Sequence, residues 1–293
     1  MISTDLSRRL GLQYPVVCAP MFIISCKEML VACAEAGILG AMPSLNARTI
    51  EDLRADLEWV RSKTDKPFAV NVTIGLTDPE RREADIQVLE EFDVPVWITS
   101  YGNPTPLVTR AHAKGATVFH DVINLRHARK AESAGVDAVI AVAAGAGGHA
   151  GRITPMALWP WLNQELSVPV IAAGSISTGA QVAAALTLGG QLAYMGTRFI
   201  ASAECRASDR YKEMVVESGP EDIVYTDQIS GVHANFLKET LPSERPDAPL
   251  AAKRWRDIWS AGHGVAQVHA VKPIEAIVED LVREFHDATA ALR

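Results

Sequence analysis

Two kinds of residue in this chain could do chemistry together: a histidine set among glycines, and small residues placed where backbone N–H groups can reach an anion. The stretch Ala141–Gly151, AVAAGAGGHAG, carries glycines at 145, 147, 148 and 151 and one imidazole, His149. Glycine takes positive φ without steric cost and lets backbone approach a ligand. Imidazole is the side chain best suited to proton transfer near neutral pH. A histidine beside glycines is, by itself, more often structural than catalytic, so its neighbours must decide. Gly145, Gly147 and Ala150 satisfy the G-x-G-x-x-G/A dinucleotide spacing, but Thr154 and Pro155 delay the helix that should start inside the glycines. The next strand ends in Gly174-Ser175 with no carboxylate, so that fingerprint fails.

The neighbours are two later strand ends, Ala173-Gly174-Ser175-Ile176 and Tyr194-Met195-Gly196-Thr197. In an eight-stranded α/β barrel the last two strand ends build a phosphate site from backbone N–H groups and a helix N-terminus. Small residues let those amides reach phosphate oxygens, and Ser175 and Thr197 add hydroxyls. Glycines also simply end strands; finding them in both expected loops favours phosphate binding. Three further strand ends point the same way. Ala19-Pro20-Met21 offers an apolar backbone that could lie flat against a ring system, Asn71 an amide that reads a heterocycle's polar edge, and His120-Asp121 two titratable groups. Asn71 could equally be a turn residue. Trp159 and Trp161 read as helix packing, and His112, His127 and His286 as surface histidines.

These groups need a scaffold, and strand-like and helix-like segments alternate through the chain in the pattern of βαβ units. Strands are predicted at Pro15–Met21, Ile38–Met42, Phe68–Val72, Val96–Thr99, Thr117–His120, Asp137–Ala143, Val168–Ala173 and Gln191–Gly196. Helices are predicted between them, among them Lys27–Ala36, Thr49–Ser62 with Thr49 and Asp52 as a weak capping box, Pro79–Glu91, and Pro155–Glu165 with proline in the favoured first turn. Eight such units predict a closed (β/α)8 barrel, a TIM barrel. Residues 204–262 break the rhythm with a helical patch at Asp209–Ser218, a strand-like run at Ile223–Thr226 and the proline-rich LPSERPDAP. They are predicted to form a lid or small subdomain, with 1–203 and 263–293 as the barrel. Lys272–Ala291 reads as its outer closing helix.

Composition narrows the function. The 293 residues can bury a large core, and a net charge of -7 gives no electrostatic support for nucleic acid or an anionic membrane. The first residues look unlike a signal peptide, and no apolar run reaches the roughly 18 residues of a membrane span. Cys18, Cys26, Cys33 and Cys205 form no CxxC pair or zinc spacing and read as reduced thiols of a cytoplasmic protein.

With these residues in hand, the chain resembles the nitronate monooxygenase, or 2-nitropropane dioxygenase-like, family. The likeness rests on APM at 19–21, VNV around Asn71, AGGHAG at 146–151, PVIAAGSI at 169–176, YMGTRFIASAE at 194–204 and WSAGHGV at 259–265. It implies an FMN-dependent flavoprotein barrel in which Gly174, Ser175, Gly196 and Thr197 hold the FMN phosphate. Asn71, Met21 and Gly147 would lie along the flavin, Ala19, Pro20, Asp121, Gly148 and Met195 would complete the cofactor-binding set, and His149 would be the active-site histidine. Such enzymes oxidise alkyl nitronates with O2 to a carbonyl compound and nitrite, and the histidine removes the α-proton where neutral nitroalkanes are used. The implied partners are a small-molecule substrate and O2, with no nucleic acid, no membrane and no metal; a homo-oligomer is compatible. The chain departs from the family pattern at Val142 (often Gln), Gly145 (Glu), Ser175 (often Gly), Asp121 (Lys in one branch) and His263 (Gln). An NAD(P)H-dependent FMN reductase acting on a quinone or enoyl thioester, and a non-redox sugar-phosphate-binding barrel, are the alternatives.

Overall fold

The computed structural model describes residues 1–242 and 257–292, so residues 243–249 of the proline-rich stretch lie outside the described part. In chain order the strands are β1 (Val16–Cys18), β2 (Leu39–Pro43), β3 (Phe68–Thr73), β4 (Val96–Ser100), β5 (Thr117–Val122), β6 (Ala138–Val142), β7 (Gly148–His149), β8 (Val170–Ala173), β9 (Leu192–Met195), β10 (Ile223–Thr226) and β11 (Ala234–Leu237). The helices are α1 (Asp5–Arg9), α2 (Lys27–Glu35), α3 (Ile50–Arg61), α4 (Pro79–Glu91), α5 (Thr105–Ala113), α6 (Leu125–Ser133), α7 (Pro155–Glu165), α8 (Gly179–Thr187), α9 (Thr197–Ile200), α10 (Asp209–Glu217) and α11 (Ile274–Ala290).

Eight parallel strands close on themselves in the order β1-β2-β3-β4-β5-β6-β8-β9, with β9 pairing back onto β1. This is the (β/α)8 barrel that the alternating pattern predicts. Because side chains alternate across a strand, each strand feeds two apolar layers. One set, including Val17, Leu39, Ala69, Ile98, Phe119, Ile140, Ile171 and Leu192, fills the barrel interior. The other, including Val16, Met42, Val70, Trp97, Val118, Val139, Val170 and Met195, packs against the helices. The strands are therefore apolar on both faces, as parallel sheets require.

Local chemistry sets the helix starts. Thr49 and Asp52 make both bonds of the capping box at α3, at 3.0 and 3.1 Å. Proline stands at the first position of α4 and α7, where its missing N–H is no loss. Helix α11 closes the shell against α8, so tightly that a Cβ at Gly179 would overlap the backbone of Leu281 and Phe285.

Several elements differ from the sequence reading. The first strand is three residues long instead of seven, because the chain leaves the sheet at Ala19 and turns tightly through Met21–Ser25, held by Asn46. Helices α1 and α9 and strands β7 and β11 are not predicted from sequence. Strand β10 pairs with β11, and β11 pairs with β7, forming a three-stranded antiparallel sheet outside the barrel. The glycine turn is thus tied into the segment after the barrel.

Candidate active site

Interior side chains stop being apolar at the carboxyl ends of the strands. Continuing the inward alternation by one step from the apolar layer brings Ala19, Asn71, Asp121 and Tyr194 to the top of the barrel. These residues line a cavity of about 1030 Å³, together with Pro20, Met21, Gly147, Gly148, His149, Gly174, Ser175, Gly196 and Thr197. That volume reaches the upper end of what small-ligand pockets hold. Twelve of the thirteen residues singled out from sequence therefore meet in one place, all but Met195. Met195 is one position out of phase: its side chain is buried among the residues that pack against the helices. The same alternation separates His120 from Asp121. His120 points outward, bonded to Thr99 Oγ1 at 2.8 Å, and burial pushes its pKa down to about 4.

The two strand-end turns present backbone donors. The N–H groups of Ser175, Ile176, Gly196 and Thr197 donate to no protein acceptor among the described residues. Gly174 (φ 127°) and Ser175 (φ 56°) both take positive φ. The turn thereby rises from β8 before α8 begins. Above Gly196 a Cβ would meet nothing nearer than 3.8 Å; the space belongs to the cavity. The N-terminus of α8 does not take part. The N–H groups that open α8 are taken by Thr178 Oγ1, Gln181 Oε1 and the Glu284 carboxylate, and an acid there repels an anion. The anion cradle is made of the turn after β8 and the N-terminus of α9, which Gly196 caps and Thr197 opens. Thr197 Oγ1 accepts from Gly262 N–H at 2.9 Å and keeps its proton to donate.

The glycine turn is clamped from two sides. On one, β7 pairs with β11, and Asn235 Nδ2 donates to Ala146 O at 2.6 Å. On the other, His263 N–H donates to Gly145 O at 2.9 Å. A Cβ at Gly147 would come within 3.0 Å of the Gly262 nitrogen and 3.2 Å of Thr197 Oγ1, and one at Gly145 would overlap Ser175 Oγ. Gly148 has open space where its Cβ would stand. So Gly145 and Gly147 are glycine because chain crosses them, whereas Gly148 faces the cavity.

His149 is mostly buried at the cavity wall, and that burial holds its pKa below the ordinary imidazole range. The Tyr101 ring meets it edge-on, centroids 5.2 Å apart, and its Nε2 lies 3.2 Å from Ser230 Oγ. Ser230 gives its one proton to Val232 O, which leaves its oxygen able to accept from His149 Nε2. A neutral imidazole in this setting is a base. Asn71 Nδ2 donates to Ile98 O at 3.2 Å, fixing the amide in plane with β4. Asp121 Oδ1 is shut away from solvent with no hydrogen-bond partner.

Sequence reasoning missed Tyr101, Ser230 and Asn235. Tyr101 sits at φ 54°, a conformation rare for an aromatic residue and invisible in its type. Ser230 and Asn235 lie more than 80 positions from the turn they hold, so no local spacing marks them.

A model of the family described as nitronate monooxygenase matches residues 3–254. Among curated relatives, a nitronate monooxygenase of Paraburkholderia phytofirmans is 30% identical over 97% of this chain and 95% of its own length. The (3aS,4S,5R,7aS)-5-hydroxy-7a-methyl-1-oxo-octahydro-1H-indene-4-carboxyl-CoA dehydrogenase of Mycobacterium tuberculosis is 30% identical over 82% of this chain and 67% of its own. Among solved structures, FabK from Thermotoga maritima superposes with a TM-score of 0.88 at 32% identity, covering 100% of this chain and 99% of that one.

Proposed function

The chain belongs to the nitronate monooxygenase family and is thus an oxidoreductase of the flavoprotein kind, and from that premise we propose that it binds FMN in the barrel mouth and oxidises alkyl nitronates with O2 to a carbonyl compound and nitrite. The observation that carries the reading is the meeting, in one cavity, of a mostly buried neutral histidine and four backbone N–H groups without acceptors among the described residues. The residues fit the cofactor on their own chemistry. Ser175, Ile176, Gly196 and Thr197 would hold a phosphate through N–H groups and two hydroxyls. Gly147, Gly148 and the Ala19–Met21 backbone leave a wall along which a planar ring can pass, and Asn71 and Asp121 supply polar groups for its edge.

FMN, when bound, supplies the electron transfer; the chain's residues do the rest. His149, neutral and set against Ser230, orients a nitronate or takes the α-proton of a neutral nitroalkane. Tyr101 packs edge-on against the imidazole and restricts its rotation. General-base catalysis of this kind contributes roughly 10²–10⁴-fold.

Replacing His149 by Asn keeps a hydrogen-bonding side chain but removes the base. Turnover of a neutral nitroalkane by the purified full chain should fall by roughly 10²–10⁴-fold, with FMN content unchanged. Unaltered nitroalkane turnover would remove His149 from the role. A second reading is NAD(P)H-dependent reduction of a thioester on the same barrel; the name of the Mycobacterium tuberculosis relative, a dehydrogenase of a carboxyl-CoA compound, brings in redox work on a CoA-bound substrate. Anaerobic mixing separates the two. Rapid flavin bleaching by a nitronate supports the first, and bleaching by NADH or NADPH supports the second. The non-redox sugar-phosphate alternative falls with membership of an oxidoreductase family.

A further inference from the structure

Asp121 is the one carboxylate among the described residues that line the cavity. It lies on β5 one step above Phe119, in the interior alternation that also brings Asn71 and Tyr194 to the barrel mouth. Its Oδ1 is buried and its side chain makes no hydrogen bond or ion pair among the described residues. The titratable groups that face it are the Tyr101 phenol, from the turn after β4, and the Tyr194 phenol on β9; both are held protonated by burial and by Asp121 itself. From β3 and β6 come Asn71 and Val142, which do not titrate. The cations in the cavity wall, Arg48 and Arg206, are exposed, and Arg206 is paired with Glu28. Among the described residues nothing therefore compensates a charge at Asp121, and a buried polar atom without a partner calls for one.

We propose that Asp121 acts in its neutral form, donating a hydrogen bond to the ring system held in the barrel mouth, and so makes retention of the flavin depend on pH. The inference rests on the FMN reading above. A protonated carboxyl is a donor, whereas a carboxylate can only accept. Burial pushes the Asp121 pKa up to about 7, which places the change of role inside the working pH range. A ligand that accepts from the neutral acid binds the protonated protein and raises that pKa further. Its affinity is then constant below about pH 7 and falls by up to tenfold per pH unit above it.

The test uses the full-length holoprotein and FMN itself. Serial dilution, followed by the fluorescence of released FMN, gives Kd at pH 6, 7 and 8 for the wild type and for Asp121→Asn, whose amide keeps a donor at every pH. The titrations of the FMN phosphate and of His149 are common to both proteins and cancel in the ratio. The wild-type Kd should rise about tenfold relative to the variant from pH 6 to pH 8. A ratio that stays flat across that range overturns the proposal while leaving FMN binding intact. Failure of both proteins to bind FMN at any pH removes the flavin reading and the proposal together. Should Asp121→Asn not fold, Asp121→Ser, smaller and uncharged, takes its place in the same ratio.

Discussion

Three departures from the family pattern, Gly145, Ser175 and His263, meet at one point, and their coupling can be measured. Gly145 has φ 81°, and a Cβ there would overlap Ser175 Oγ and stand 3.0 Å from His263 Nδ1. Gly145→Ala therefore carries two costs: about 1–2 kcal/mol for a side chain in left-handed backbone and about 1–3 kcal/mol for overpacking. Ser175→Gly removes the obstructing hydroxyl and the strain of a serine at φ 56°. A glycine's freer unfolded chain offsets that relief, so the single variant should stay within about 1 kcal/mol of wild type. In the double variant the overlap with the hydroxyl vanishes, leaving the φ cost at 145 and the close approach to His263 Nδ1. The cycle predicts a coupling of about 1–3 kcal/mol, read as a melting temperature that recovers by roughly 2 °C per kcal/mol. The flavin separates the two functions of Ser175. Loss of a hydroxyl bond to a charged phosphate is worth about 1.5–3 kcal/mol, so Ser175→Gly should weaken FMN binding roughly tenfold to a hundredfold while leaving stability almost unchanged. Additivity of the two substitutions within about 0.5 kcal/mol would refute the packing argument. Undiminished FMN affinity in Ser175→Gly would refute the phosphate contact.

Other perturbations bear on the scaffold and on His149. The acid limb of kcat/KM for a neutral nitroalkane should fall below pH 6.5, because burial holds His149 neutral beneath the ordinary imidazole range; a limb above 6.5 in both wild type and Asp121→Asn contradicts it. His120, with its pKa lowered from 6.5 to about 4, is neutral in the fold where the unfolded chain would bind a proton. Its contribution is full above pH 6.5 and is lost as pH falls toward 4, by up to about 3 kcal/mol. Urea midpoints of wild type and His120→Asn should converge over that interval, and parallel curves count against the assignment. At the α8–α11 crossing, Gly179→Ala should cost about 1–3 kcal/mol or more, since the added Cβ would meet main chain that cannot rotate aside. A melting temperature within 1 °C of wild type, on the scale of roughly 2 °C per kcal/mol, would show that the helices can part.

Local sequence was enough to determine the barrel and most of its mouth. Runs such as FAVNV and AVIAV are apolar on both faces, as strands in a closed parallel sheet must be. Thr49 with Asp52, and the prolines at 79 and 155, mark helix starts by chemistry that acts within three residues. Chain order then sends each strand end to the same rim, so Ala19, Asn71, Ser175 and Thr197 could be assembled from spacing alone. What tertiary structure decided is phase and pairing. A shift of one residue exchanges the inside of the barrel for the outside, which is why Asp121 faces the cavity while His120 and Met195 do not. The N-terminus of α8, a natural anion site by sequence, is occupied by Glu284 from the far end of the chain. The strand that holds His149 is two residues long and exists only because β11 pairs with it. Two residues have no periodicity to read, and hydrogen bonds between segments some 80 positions apart leave no trace in local composition.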